Sequence, residues 1–250
     1  GAGTLAADAL FQSTGGGTVT LGGSLNGAQN LTVTTGGQIN QGALIGGGTR
    51  LTSLTLNGAN TQLTNDVYTV DALSFGANTN LGARVDSLDT VTFNNALTLA
   101  GASTVVGANG VTFSDNVNGT QNLTVESAAG DINFSGNIGN SSALDTLTIT
   151  DTGNLTFGAD VSLAALNQQA GRVTTSLGSN FNSTGNVDIL GVNIEGDILS
   201  AADVMFDVTG SVTGQLFAGG YSLKAENSDQ TGEVNNVTCL LYTSPSPRDT

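Results

Sequence analysis

The chain has 250 residues, of which 38 % are hydrophobic, enough to bury a core and to exclude wholesale disorder. Its formal charge is −15, from 20 Asp and Glu against five Lys and Arg, which disfavours nucleic acid and anionic membranes as partners. No stretch approaches the roughly 18 consecutive apolar residues of a membrane-spanning helix, so no membrane insertion is expected within this segment.

Lys and Glu, which usually coat helices, are reduced to Lys224 and to Glu126, Glu195, Glu226 and Glu233. The 36 Gly, with abundant Thr, Asn and Ser, belong instead to strands and tight turns. Acidic residues stand singly. They read as a solubility device, and the alternative is weak calcium binding between turns, which needs several oxygens converging on one point. No Gly-Gly-x-Gly-x-Asp array is present to favour the second reading.

In chain order, Val19-Thr20-Leu21 opens the pattern, followed by LNGAQNLTV at 25–33. Strict alternation of apolar residue and Thr sends the apolar pair to one face of a strand. Leu51-Thr52-Ser53-Leu54-Thr55-Leu56 repeats it, as do Leu88–Phe93 and Leu144–Ile149, and shorter copies stand at Leu31–Val33, Val111–Phe113, Leu123–Val125 and Leu155–Phe157. Runs such as Gly46-Gly47-Gly48 and Gly107-Ala108-Asn109-Gly110 supply sharp corners between them. Asp160–Gln169 is the best helix candidate, but it lacks an apolar stripe.

A larger block is duplicated. VNGTQNLTV at 117–125 matches 25–33 at seven of nine positions, and Val19-Thr20-Leu21 faces Val111-Thr112-Phe113 at the same offset of 92. After one inserted residue, Ile39, Ile45, Leu51, Leu54 and Leu56 face Ile132, Ile138, Leu144, Leu147 and Ile149. The block near 19–56 thus recurs near 111–149. Short strands with one apolar face could build a sandwich, but duplication favours a solenoid, in which stacked units bury a continuous core. An offset of 92 corresponds to four coils of about 23 residues, and ten coils would make a rod on the order of 50 Å long. Leu31, Leu54 and Val91 are then expected to stack in neighbouring coils. The steps between the longer patterns, which begin at 51, 88 and 144, are uneven, so coil lengths vary and loops protrude. The β-helical region is expected to span 1–238.

The last dozen residues, CLLYTSPSPRDT at 239–250, hold both prolines and the lone cysteine. They resemble a translated sequencing-adapter tail that recurs on unrelated proteins from environmental sequencing, and the alternative is a Ser-Pro linker. The start at Gly1 without Met points to an internal fragment. Open end coils would then expose strand edges and invite self-association.

The runs VTLGGSLNGAQNLTV and VTFSDNVNGTQNLTVESAAGDINFSGNIG resemble filamentous-haemagglutinin-type exoproteins and related autotransporter passenger domains of bacteria. The resemblance covers about Thr18 to Leu199 and rests on repeat texture. It implies an all-β, right-handed parallel β-helix at the outer surface of a bacterial cell or outside it, serving adhesion. Its expected partners are host or cell-surface glycans or proteins, and neighbouring coils of the parent chain.

Chemistry is sparse. A carbohydrate-active β-helix enzyme needs converging acids, or carboxylates with a base. There is no His, and Arg50, Arg84 and Arg172 are far apart in sequence. The acid pairs Asp86/Asp89, Asp145/Asp151 and Asp203/Asp207 read as solvated corner acids. No catalytic, cofactor-binding or metal-binding residues are assigned, and no enzyme is expected. The leading reading is a structural or adhesive rod. The alternatives are a carbohydrate-active lyase or glycosidase, and a spacer without ligand. Binding surfaces are sought in the irregular stretches 66–90 and 165–185. Surface aromatics are sought at Tyr68, Phe217 and Tyr221, and a flat Thr array at Thr18/Thr20, Thr32/Thr34 and Thr146/Thr148/Thr150.

Overall fold

In the computed structural model, each apolar-Thr-apolar triplet is a short strand whose apolar residues point inward and whose Thr points out. The structure describes residues 1–171, 174–177, 181–191, 193–195, 198–200, 204–208, 212–213, 216–218 and 224–225. Side chains are described as far as Ile189, and the tail at 239–250 lies outside the described residues. Among the described residues every strand pair is parallel and no helix occurs, which excludes the sandwich. Asp160–Gln169, the helix candidate, contains the strand Val161–Gln168, with Val161, Leu163, Leu166 and Gln168 inside.

The strands wind into a β-solenoid of about nine turns, at about 4.8 Å per turn. Each complete turn lays one strand, or a single bridging residue, on each of three faces. The first face runs from Ala9–Ser13 through Asn30–Thr35, Ser53–Asn57, Leu73–Phe75, Thr90–Phe93, Gly110–Phe113, Ile132–Phe134 and Leu155–Phe157 to Thr174–Ser176, and two further strands continue it to Val212–Thr213. The second face includes Val19–Leu21, Gln38–Gln41, Asn60–Leu63, Asn78–Leu81 and Leu97–Leu99. The third includes Val67–Thr69, Arg84–Ser87, Ser103–Gly107, Leu123–Glu126 and Leu144–Asp151.

Parallel register places like above like. Leu31 pairs with Leu54, and Leu73, Val91, Val111, Ile132 and Leu155 continue the same inward column. Leu31 and Leu54 therefore stack in neighbouring coils as expected, but Val91 joins the column one coil later than expected, because Leu73 of the variant triplet Leu-Ser-Phe stands between. Two positions on, Phe75, Phe93, Phe113, Phe134 and Phe157 form a ladder of rings. Consecutive centroids lie 4.8, 5.3, 4.5 and 5.4 Å apart, with ring planes within 18° of parallel. The coil rise thus matches the spacing that offset-stacked rings prefer. Phe181, from the second face, closes the ladder edge-on at 5.6 Å and 70°.

Not every Leu of the longer pattern is core. Leu51 and Leu144 are buried, but Leu88 is 52 % exposed at a corner. The first coil is also open at its outer side. Phe11 pairs with Val33 yet is 45 % exposed, and its neighbour Leu10, which points outward, is 63 % exposed.

The duplicated block keeps its local structure. Leu25 bridges Ile45 as Val117 bridges Ile138, and Leu31 pairs with Leu54 as Leu123 pairs with Leu147. Gly27 and Gly119 share φ values of 123° and 124°, and Gly46 and Gly139 share 72° and 70°. Asn26 Oδ1 accepts from the N–H groups of Gly48 and Thr49, and Asn118 Oδ1 from those of Ser141 and Ser142. Both copies therefore carry the same protruding loop, at 46–50 and at 139–143.

The expected division of 92 into four coils of about 23 residues does not hold, although the expected variation in coil length does. Leu31 lies on the first face and Leu123 on the third, so an offset of 92 spans four full coils and two further faces. The reason is that coil length varies. Leu31 and Leu54 are 23 positions apart, but Leu73 and Val91 only 18, because the first interval contains the loop at 46–50. The copy is rotated around the axis, which the fold tolerates because each face asks the same of a strand.

Corners are held by side-chain brackets from one coil to the next. Asp8 Oδ1 accepts from Asn30 N at 2.9 Å and Asp8 Oδ2 from Asn30 Nδ2 at 3.0 Å, which holds the Asp8 carboxyl below its usual pKa. Asp131 receives Asn154 N at 2.7 Å, Asn116 Oδ1 receives Asn137 N at 2.9 Å, and Asn137 Oδ1 receives Asp160 N at 3.2 Å.

Two substitutions test this architecture. Phe113→Ala removes a ring stacked on both sides and is expected to cost about 3–5 kcal/mol by chemical denaturation, whereas Thr112→Ala, facing outward, changes stability by less than about 0.5 kcal/mol. Gly139→Ala forces a Cβ onto a positive φ and against the Ser162 carbonyl, and is expected to cost about 1–3 kcal/mol. Hydrogen exchange at Gly139 and Ser162 should quicken before that of the Phe ladder.

Candidate functional site

The third face carries a concentration of charge that the sequence separation concealed. Tyr68 stands outward on Val67–Thr69, between inward Val67 and Thr69, and in the next coil Asp86 is its register partner. Arg84 precedes Asp86 by two positions and so points to the same side. Arg50 arrives from the loop at 46–50, whose end is pinned where Leu51 bridges Thr69.

Asp86 sits at the centre. Arg50 Nη1 donates to its Oδ1 at 2.8 Å, and Arg84 donates to its Oδ2 through Nε at 3.0 Å and Nη2 at 2.6 Å. Arg50 Nη1 also reaches the carbonyls of Thr69 at 3.1 Å and Asp86 at 3.0 Å, tying the loop to two successive coils. Its guanidinium lies 5.1 Å from the centre of the Tyr68 ring, within cation–π range. Tyr68 Oη donates to Asp66 Oδ2 at 3.2 Å, and Asp66 Oδ1 accepts from Arg84 N at 2.9 Å. Burial, then the charge of Asp66 and the hydrogen bond to it, push the Tyr68 phenol above its ordinary pKa.

This arrangement corrects two expectations. Arg50 and Arg84 are brought together on one carboxylate, because Arg50, from the loop two coils before Asp86, reaches across the intervening coil. Asp86 is only 6 % exposed and is an ion-paired strand residue, not a solvated corner acid. Arg172 lies outside the described residues. The stretch 66–90, expected to be irregular, contains regularly paired strands on all three faces. The stretch 165–185 is described in part, and its described strands also pair in register.

The remaining acids disperse. Asp89 accepts from Asn109 Nδ2 at 3.1 Å beyond the corner. Asp145 and Asp151 stand near opposite ends of the strand Leu144–Asp151. The side chains of Asp203 and Asp207 lie outside the described residues, as do those of Phe217 and Tyr221. Among the described residues no group of three or more His, Cys, Asp or Glu is placed to hold a metal ion, and no helix is long and apolar enough to cross a membrane.

Outward Thr forms a column on the first face, where Thr32, Thr55, Ser74, Thr92, Thr112, Asn133 and Thr156 are successive register partners. Ser74 and Asn133 interrupt it. Thr20 and Thr148 stand on the second and third faces, so the expected Thr pairs do not combine into one flat array. No family model, no curated protein and no solved structure matches the chain.

Asp86→Asn is expected to destabilise the chain by about 1–3 kcal/mol, towards the low end because both guanidinium groups keep water contact. A melt in high salt should narrow the gap between variant and parent. For Tyr68 the folded pKa exceeds the unfolded one, so its contribution is complete below about pH 10 and is lost as pH rises through the folded value. Tyr68→Phe should flatten that alkaline loss in a pH series of melting temperatures.

Proposed function

We propose that the chain is a structural and adhesive segment of a secreted or cell-surface bacterial protein, a stiff rod whose outward faces engage glycans or proteins of a host or neighbouring cell. The observation that carries this reading is the uninterrupted parallel solenoid, with its inward columns and Phe ladder. Such a core makes a rod rigid along its axis and leaves three strand faces turned outward. The outward positions are Thr, Ser, Asn and Gln far more often than charge, which suits hydrogen bonding to a polar surface.

A non-enzymatic role is part of the proposal. Its support is the use of acids as brackets between coils at Asp8, Asp89 and Asp131, and as an ion-pair centre at Asp86. The resemblance to passenger domains of exoproteins supports the extracellular setting.

The test is adherence of the purified chain to bacterial and epithelial cells, paired with an assay for reducing ends or unsaturated products on polysaccharides. Saturable adherence without product release is the expected outcome. Release of oligosaccharides would replace the adhesive reading with an enzymatic one, and neither adherence nor release would leave a spacer.

A further inference from the structure

Side-chain amides in this protein fall into two groups. One group is committed: Asn116 and Asn137 at corners, and Asn26 and Asn118 at the strand ends before the protruding loops, each accept backbone N–H groups of the following coil. The second group stands outward on three successive strands of the second face. Gln38, Asn60 and Asn78 are register partners, and beside them Asn40, Gln62 and Asn80 are another set. Two columns of three carboxamides result, separated along each strand by one inward residue: Ile39, Thr61 or Thr79. Among the described hydrogen bonds one joins members of this lattice, Gln38 Nε2 to Gln62 Oε1 at 3.2 Å. The side chains of Asn60, Asn78 and Asn80 are exposed and take part in none of the described side-chain bonds. Asn40 Oδ1 is buried and accepts no hydrogen bond within the protein.

We propose that this lattice binds a neutral, extended polysaccharide lying along the solenoid axis. The proposal deepens the adhesive reading and rests on it. A carboxamide offers two donors and an acceptor without charge, matching sugar hydroxyls that both donate and accept. The columns repeat every coil, at about 4.8 Å, close to the length of one pyranose unit in an extended β-linked chain. Successive sugars can therefore meet equivalent amides. Charge selects the class. The chain carries −15 overall, yet the outward positions of these three strands hold no ionisable group, so a neutral polymer meets no opposing charge and an acidic one is repelled by the surrounding surface. Each contact is weak alone, and affinity grows with the number of coils engaged.

The experiment uses the full chain in affinity electrophoresis through gels containing hydroxyethyl cellulose, xylan, galactomannan or a β-1,3-glucan, with carboxymethyl cellulose as the charged counterpart of the first. Retardation by at least one neutral polymer, and less by carboxymethyl cellulose, is expected. The variant Asn60→Thr/Gln62→Thr/Asn80→Thr puts strand-favouring residues at outward positions and should weaken retention at least about tenfold, while Asn133→Thr, outward on the first face, leaves it unchanged. Folding of each variant is checked by its far-ultraviolet circular dichroism and melting temperature. If the triple variant does not fold, side-chain amide NMR signals of the parent decide, and shifts that spare the six amides overturn the site. Retention by none of the four neutral polymers, or undiminished retention of a folded triple variant, also overturns it. Undiminished polysaccharide retention by a folded triple variant that still adheres to cells would sink the lattice and leave the adhesive reading intact. Polysaccharide retention without adherence to any cell would do the reverse.

Discussion

Everything in this molecule depends on parallel stacking at a fixed rise. Once a coil must lie about 4.8 Å above the last, each inward residue has to meet one of compatible shape directly below it. Apolar columns satisfy that demand without needing partners of their own, and flat rings satisfy it particularly well, which is why five consecutive coils carry Phe at one position. Several polar residues that enter the interior are small ones that reach a backbone carbonyl, such as Thr79 to Ala77 and Ser103 to Leu81, whereas the Oγ1 of inward Thr61 has no partner.

The same constraint explains how the duplicated block could be rotated without damage. Strand faces impose one common requirement, an apolar pair inward with a polar residue between, so a segment built for one face serves on another. What has to be preserved is the relation between neighbouring coils. The bridges Leu25–Ile45 and Val117–Ile138, the paired glycines and the Asn26 and Asn118 brackets preserve it. The two protruding loops consequently leave the rod at different angles around its axis. Arg50 shows what such a loop can do: folded back, it secures a carboxylate and two carbonyls on the neighbouring coils.

Polar side chains divide by position. At corners, where the backbone turns and loses ladder partners, Asp and Asn replace the missing acceptors and are consumed by the fold. On the second-face strands from Gln38 to Leu81, where the backbone is already paired, the outward Asn and Gln make none of the described bonds to the backbone and remain available to a partner. The binding proposed for the second face follows from that division. Among the described residues, Asp8, Asp66, Asp86, Asp89 and Asp131 are engaged within the fold, and none stands on the second-face strands from Gln38 to Leu81.

The sequence by itself determined the all-β class, the parallel solenoid and much of the core, because an alternation of period two and a duplicated block depend only on local order. Leu31, Leu54, Val91, Phe93, Val111 and Phe113 were legible for that reason, and Leu73 was hidden only by Ser in place of Thr. The number of residues per coil was decided by the tertiary structure, since loops such as 46–50 alter a coil without altering its strands. That difference misled the division of 92 into four coils, exposed Leu88 while burying Leu51 and Leu144, and made a strand of 161–168. Adjacency across coils was equally beyond the sequence. Arg50, Arg84 and Asp86, or the six amides between Gln38 and Asn80, become neighbours only when the register between turns is known. Register is set by packing all three faces at once, and no single strand contains it.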